Sequence, residues 1–107
     1  MVKFEEETYL DNVRGALALR GQIEAIVDAA AGQCGNLCWL GIGGTWASCL
    51  QTTVHMKERS AMEVFALNAA EYNTTGDRRV GERTFVVISS VTGTTEEMCA
   101  AVEKLHA

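Results

Sequence analysis

The chain of 107 residues is long enough for one domain with one core, and its 48 % hydrophobic and 21 % charged composition is ordinary for a globular protein. The net charge of −5 argues against non-specific nucleic-acid binding, which is driven by phosphate neutralisation. No apolar run reaches the roughly 18–20 residues that span a bilayer, and the acidic opening MVKFEEETYLDN does not resemble a signal peptide, so a cytoplasmic protein without a membrane partner is expected.

Residues 6–31 carry helical spacing, with Leu10, Val13, Leu17, Ile23, Ile26, Val27 and Ala30 mostly three or four apart on one apolar face. Gly15 and Gly21 weaken the middle, which predicts two helices or one bent one, and Gly32 and Gly35 end it. Residues 37–42 then form an apolar run without polar alternation, the pattern of a strand covered on both faces in a parallel sheet. Helical spacing returns over 46–58, with Trp46, Leu50 and Val54 on one stripe. A second strand is predicted over 63–67, a single helical turn over 68–72, a polar loop after it, and a third strand over 84–89. The last helix, 95–106, turns Met98, Val102 and Leu105 inward.

Strands alternating with helices predict an α/β fold, a Rossmann-like three-layer αβα arrangement with a parallel sheet. The expected organisation is one domain over 1–107, with a helical lead-in over 1–35 and an α/β part over 36–107. Cys34, Cys38, Cys49 and Cys99, with His55 and His106, lack the spacing of a metal site, so reduced thiols, no metal and no cofactor are expected.

In open α/β sheets, ligands sit outside the carboxyl ends of the strands. Two such ends carry unusual chemistry here. Gly41-Ile42-Gly43-Gly44-Thr45 follows the first strand, and Ser90-Val91-Thr92-Gly93-Thr94-Thr95 follows the third. Both loops are small, rich in hydroxyls and glycine, and lead into helices whose first N–H groups are unpaired. Each suits an oxyanion. Thr94-Thr95-Glu96-Glu97 also reads as a capping box, with Thr94 as N-cap and Glu97 reaching back, but that leaves Ser89, Ser90 and Thr92 unexplained. A dinucleotide site is disfavoured: Trp46 stands where the third fingerprint glycine belongs, and the second strand ends in Leu67-Asn68 rather than an acid. No Gly-Lys-Ser/Thr is present, which excludes a P-loop.

The pair of loops resembles the sugar isomerase (SIS) family of phosphosugar-binding domains. That family's first loop commonly reads Gly-x-Gly-Gly-Ser, and its second Ser-x-Ser-Gly-x-Thr-x-Glu. Here Gly41-Ile42-Gly43-Gly44-Thr45 and Ser90-Val91-Thr92-Gly93-Thr94-Thr95-Glu96-Glu97 each replace one Ser with Thr. Asn68-Ala69-Ala70-Glu71-Tyr72 is similar to the branch holding fructosamine-6-phosphate deglycases and the isomerase half of glucosamine-6-phosphate synthase. The resemblance implies a sugar phosphate as partner, held by Thr45, Ser90, Thr92 and Thr95 with backbone from Gly43, Gly44, Val91, Gly93 and Thr94, and with Glu97 as cap or sugar contact. It implies an isomerase or deglycase, or a non-catalytic phosphosugar sensor. Such domains usually have about five parallel strands, so this chain reads as incomplete. Family acid/base groups come largely from later segments and from a neighbouring subunit. No catalytic residue is assigned; Glu71 is the weak candidate and His55 reads as solvated. An open sheet edge and uncovered helix faces imply a homodimer or higher oligomer, with the first helix as contact.

Overall fold

Why β1 (Asn36–Gly41) lacks polar alternation is plain in the computed structural model, which describes residues 3–107. The strand is central, between β2 (Glu63–Asn68) and β3 (Thr84–Ile88), and both neighbours run parallel to it. Leu37, Cys38 and Leu40 are buried on its two faces. The register aligns Cys38 with Phe65 and Val86, and Leu40 with Leu67 and Ile88. The strand ends one residue before the predicted Ile42, because the Ile42 amide donates to Thr45 Oγ1 and leaves the ladder.

The chain divides into two compact units, one ending at Gly32 and one running Gln33–Ala107. The first holds α1 (Glu6–Ala18) and α2 (Arg20–Ala31), which break at Leu19 and contact each other. No residue of either helix is buried. The apolar face read from the sequence lies open, with Leu17 at 69 % and Ile26 at 61 % exposure.

The second unit holds the sheet with α3 (Gly44–Arg59), α4 (Ala69–Thr75) and α5 (Glu96–Leu105). α3 packs on β1 and β2, and Trp39 of β1 donates its indole N–H to the Met56 sulfur of α3. Leu40, one residue along and therefore on the other face, packs with Ala69 and Tyr72 of α4 and Met98 and Ala101 of α5. The architecture is mixed α/β, a three-stranded all-parallel sheet flanked by helices and compatible with a Rossmann-like fold.

Three readings change. The stripe Trp46, Leu50 and Val54 does not face the sheet: Leu50 and Val54 are exposed, and Cys49 and Thr53 are buried instead. The first turn of α3 sits against Gly41 and is clamped at Ile42 by Thr45, a rotation that turns 49, 53 and 56 toward the strands. Thr53 is tolerated there because its hydroxyl donates to the Cys49 carbonyl at 2.8 Å. The predicted single turn at 68–72 is a seven-residue helix, started by the Asn68 side chain accepting from the Ala70 and Glu71 amides. Val102, read as inward, is exposed, while Met98 is buried and Leu105 half-buried.

Candidate functional site

β1 leads into α3 on one face of the sheet, and its neighbour β3 leads into α5 on the other. The two connections therefore diverge, and between them a doubly wound sheet opens a crevice at its carboxyl edge. A cleft of about 480 Å³ lies there, lined by Ile42, Gly43, Gly44, Thr45 and Ser48 from one side and Ser89, Ser90, Val91, Thr95 and Met98 from the other.

The first wall is built on Gly41. A Cβ at this position would lie 2.8 Å from the Thr45 carbonyl carbon and the Trp46 amide nitrogen, and 2.9 Å from the Thr45 oxygen. Only glycine lets the helix start this close to the strand end. Gly43 has φ of +60°, which turns the chain into α3. Thr45 Oγ1 accepts from the Ile42 amide at 3.0 Å and donates to the Ile42 carbonyl at 2.8 Å, so its proton serves the loop rather than the cleft.

The second wall is a self-bonded turn. Ser90 Oγ accepts from the Gly93 amide at 2.9 Å, Thr92 Oγ1 accepts from the Thr94 amide at 3.2 Å, and the Thr92 and Thr94 hydroxyls lie 3.1 Å apart. Gly93 takes φ of +73°. The capping box expected from Thr94 and Glu97 does not form: the N-cap is Thr95, without a side-chain cap, and the Thr94 hydroxyl is turned to Thr92. α3 likewise starts at Gly43 without a side-chain cap, whereas α4 is capped by Asn68. In the first turn of α3 the Gly44 and Thr45 amides have no intrahelical partner and both residues line the cleft; in α5 the Met98 amide donates to the Thr95 carbonyl at 3.0 Å, and Glu96 and Glu97 do not line it.

Of the sequence-derived binders, Gly43, Gly44, Thr45, Ser90, Val91 and Thr95 line the cleft; Thr92, Gly93, Thr94 and Glu97 do not. The amides of Gly93 and Thr94 are consumed inside the turn, and Glu97 is exposed, its carbonyl accepting from Asn73 Nδ2. Glu71 is exposed in the first turn of α4 and does not line the cleft, and His55 is exposed on α3, 3.2 Å from an Arg59 nitrogen. Ser48 and Met98 were missed by the sequence reading; only the i, i+4 step from Gly44 to Ser48 could have flagged the first. Beneath the cleft, burial pushes the Cys49 thiol above its ordinary value, opposed by a hydrogen bond with Ser89.

No His, Cys, Asp or Glu cluster among the described residues suits a metal ion, and no helix among them is long and apolar enough to cross a membrane. The four cysteines are unpaired. No protein-family model matches the chain, and no curated protein matches it.

Proposed function

We propose that the chain is the phosphosugar-binding part of a sugar-phosphate isomerase or fructosamine-6-phosphate deglycase, taking an (amino)hexose 6-phosphate in the cleft between α3 and α5. One observation carries this reading. Two helix starts without side-chain caps, each preceded by a glycine and hydroxyl loop, converge on one cleft at the point where the sheet's connections diverge. Backbone amides at the start of α3 and the free proton of Ser90 supply donors for phosphate oxygens, and Ile42, Val91 and Met98 give the sugar an apolar wall.

The non-catalytic sensing alternative has its own support. No carboxylate or imidazole lines the cleft among the described residues, and aldose–ketose isomerisation needs a base to move a proton between adjacent carbons. For the 107-residue chain alone, binding without turnover is therefore the expected behaviour. The test is a thermal shift and a calorimetric titration with fructose 6-phosphate, glucosamine 6-phosphate and unphosphorylated fructose. Stabilisation by the phosphates alone supports the reading; no response to any of them, or equal response to fructose, overturns it. Turnover lost in Glu71→Gln would place the base at Glu71 and displace the sensing alternative.

A further inference from the structure

Among the described residues, five side-chain hydroxyls line the cleft, and they are not equivalent. Thr45 spends its oxygen and its proton on Ile42, and the Ser90 oxygen holds the Gly93 amide. Ser89 extends the sheet, its amide donating to the Leu40 carbonyl at 3.2 Å, and its side chain is bonded to the buried Cys49 thiol. Thr95 stands at the start of α5 without capping it. The fifth is Ser48, which lies beyond the first turn of α3.

The Ser48 hydroxyl is loosely held. On the next turn of the same helix, Thr52 donates to the Ser48 carbonyl at 3.0 Å and Thr53 to the Cys49 carbonyl at 2.8 Å, firm bonds to the residue four back. The matching bond from Ser48 to the Gly44 carbonyl is stretched to 3.4 Å, outside the usual range for a hydroxyl donor. Ser48 is also exposed, so its proton and two lone pairs are open to a ligand. Its position separates it from the amides at the helix start. Helix N–H groups point out of the amino end, and carbonyls point the other way. A hydroxyl beside the Gly44 carbonyl therefore lies behind the Gly44 and Thr45 amides, and a phosphate held in front of them is out of its reach. What it meets is the remainder of the ligand, lying along the flank of α3 about one helical turn (~5.4 Å) from the charge.

We infer that Ser48 reads the sugar half of the ligand: with the phosphate in front of the Gly44 and Thr45 amides, the Ser48 hydroxyl bonds an oxygen of the sugar and sets which phosphate esters the cleft takes. The inference rests on the phosphosugar reading of the cleft and adds the direction in which the sugar runs, along the flank of α3. Serine donates and accepts, as a sugar hydroxyl does, so the bond forms with either partner as donor. A saturated alkyl phosphate offers Ser48 nothing to bond. The two walls belong together whatever lies further along the sheet, because β1 and β3 pair directly and no other strand can come between them.

Calorimetry on the full chain tests this with two esters, fructose 6-phosphate and n-hexyl phosphate, the second carrying the charge but no hydroxyl group. Ser48→Ala should weaken fructose 6-phosphate about fivefold, the worth of one net hydrogen bond between neutral groups, and leave n-hexyl phosphate unchanged. Alanine suits a helix interior better than serine, so the thermal midpoint should stay at or above that of wild type and the lost affinity is not lost folding. Ser90→Ala, which removes a donor to the phosphate itself, should weaken both esters. Equal affinity of wild type and Ser48→Ala for fructose 6-phosphate, or an equal loss for the two esters, overturns the role of Ser48 and leaves the cleft reading standing. A wild-type chain that binds neither ester overturns the cleft reading. Where only fructose 6-phosphate binds, its loss or retention in Ser48→Ala decides alone.

Discussion

Gly41→Ala tests how the site is built. The new Cβ meets the Thr45 carbonyl carbon and Trp46 nitrogen at 2.8 Å and the Thr45 oxygen at 2.9 Å, all backbone atoms. Ordinary contacts of this kind lie at about 3.5–4.0 Å, so either β1 or the first turn of α3 has to move by roughly 0.6–1.2 Å. Neither moves freely. β1 is paired on both sides, and α3 is seated through buried Cys49 and Thr53 and through the Trp39–Met56 contact. Overpacking of this size costs about 1–3 kcal/mol.

The same displacement carries Gly43, Gly44 and Thr45 with it, so sugar-phosphate affinity should fall together with stability. Urea unfolding measures the first effect and calorimetry the second. Gly35→Ala is the control: its Cβ meets nothing within 4 Å, and the position does not need a positive φ. A Gly41→Ala chain within about 0.5 kcal/mol of wild type, the range of neutral surface changes, would refute the close approach of helix to strand.

Asn68→Ala removes the acceptor for the Ala70 and Glu71 amides and should cost about 1 kcal/mol in urea unfolding. Asp77 is held below its ordinary value of 3.8 chiefly by hydrogen bonds from the Arg79 side chain, so its stabilisation is complete above that value and is lost as pH falls through the lower folded one. Because the Arg79 side chain is 47 % exposed, Asp77→Asn should cost only about 1 kcal/mol at neutral pH and flatten the acid limb of the stability profile. Burial, with neighbouring Asp77 adding to it, raises the Cys38 thiol from 9.0 to about 12, so the folded chain keeps a proton that the unfolded chain loses. Stability should therefore fall by up to about 1.4 kcal/mol per pH unit above 9, less so in Cys38→Ala, and iodoacetamide at pH 8 should label exposed Cys99 while sparing Cys38.

Most of the strand placement was readable because parallel strands leave an uninterrupted apolar signature: β1 and β3 each fall within one residue of the run that announces them. Helix faces were harder. The stripe Trp46–Leu50–Val54 is the more apolar side of α3, yet Cys49 and Thr53 face the sheet, since the helix is oriented by backbone contact at Gly41 and not by its own pattern. The site was legible as two loops with like chemistry. Their convergence was not, because it depends on strand order, and nothing local in the sequence says that β3 pairs with β1 rather than β2. Nor does composition separate a hydroxyl that meets a ligand from one that holds a turn together.

Thr92 shows the difference. By sequence it belongs with the phosphate donors, but in the structure its hydroxyl accepts from the Thr94 amide and meets the Thr94 hydroxyl, and it does not line the cleft. Under the proposed function, its contribution to binding would run through the order of the turn that carries Ser90 and Val91. Thr92→Val keeps the shape and removes the acceptor; at this exposed turn one net hydrogen bond is worth about 1 kcal/mol, or roughly fivefold in sugar-phosphate affinity. Thr92→Ser keeps the oxygen and should restore binding, and amide exchange at Thr94 should quicken in Thr92→Val alone. A direct contact with the charged phosphate would instead cost about 1.5–3 kcal/mol and leave the Thr94 amide exchanging as in wild type. That combination would place Thr92 in the cleft and refute the turn geometry.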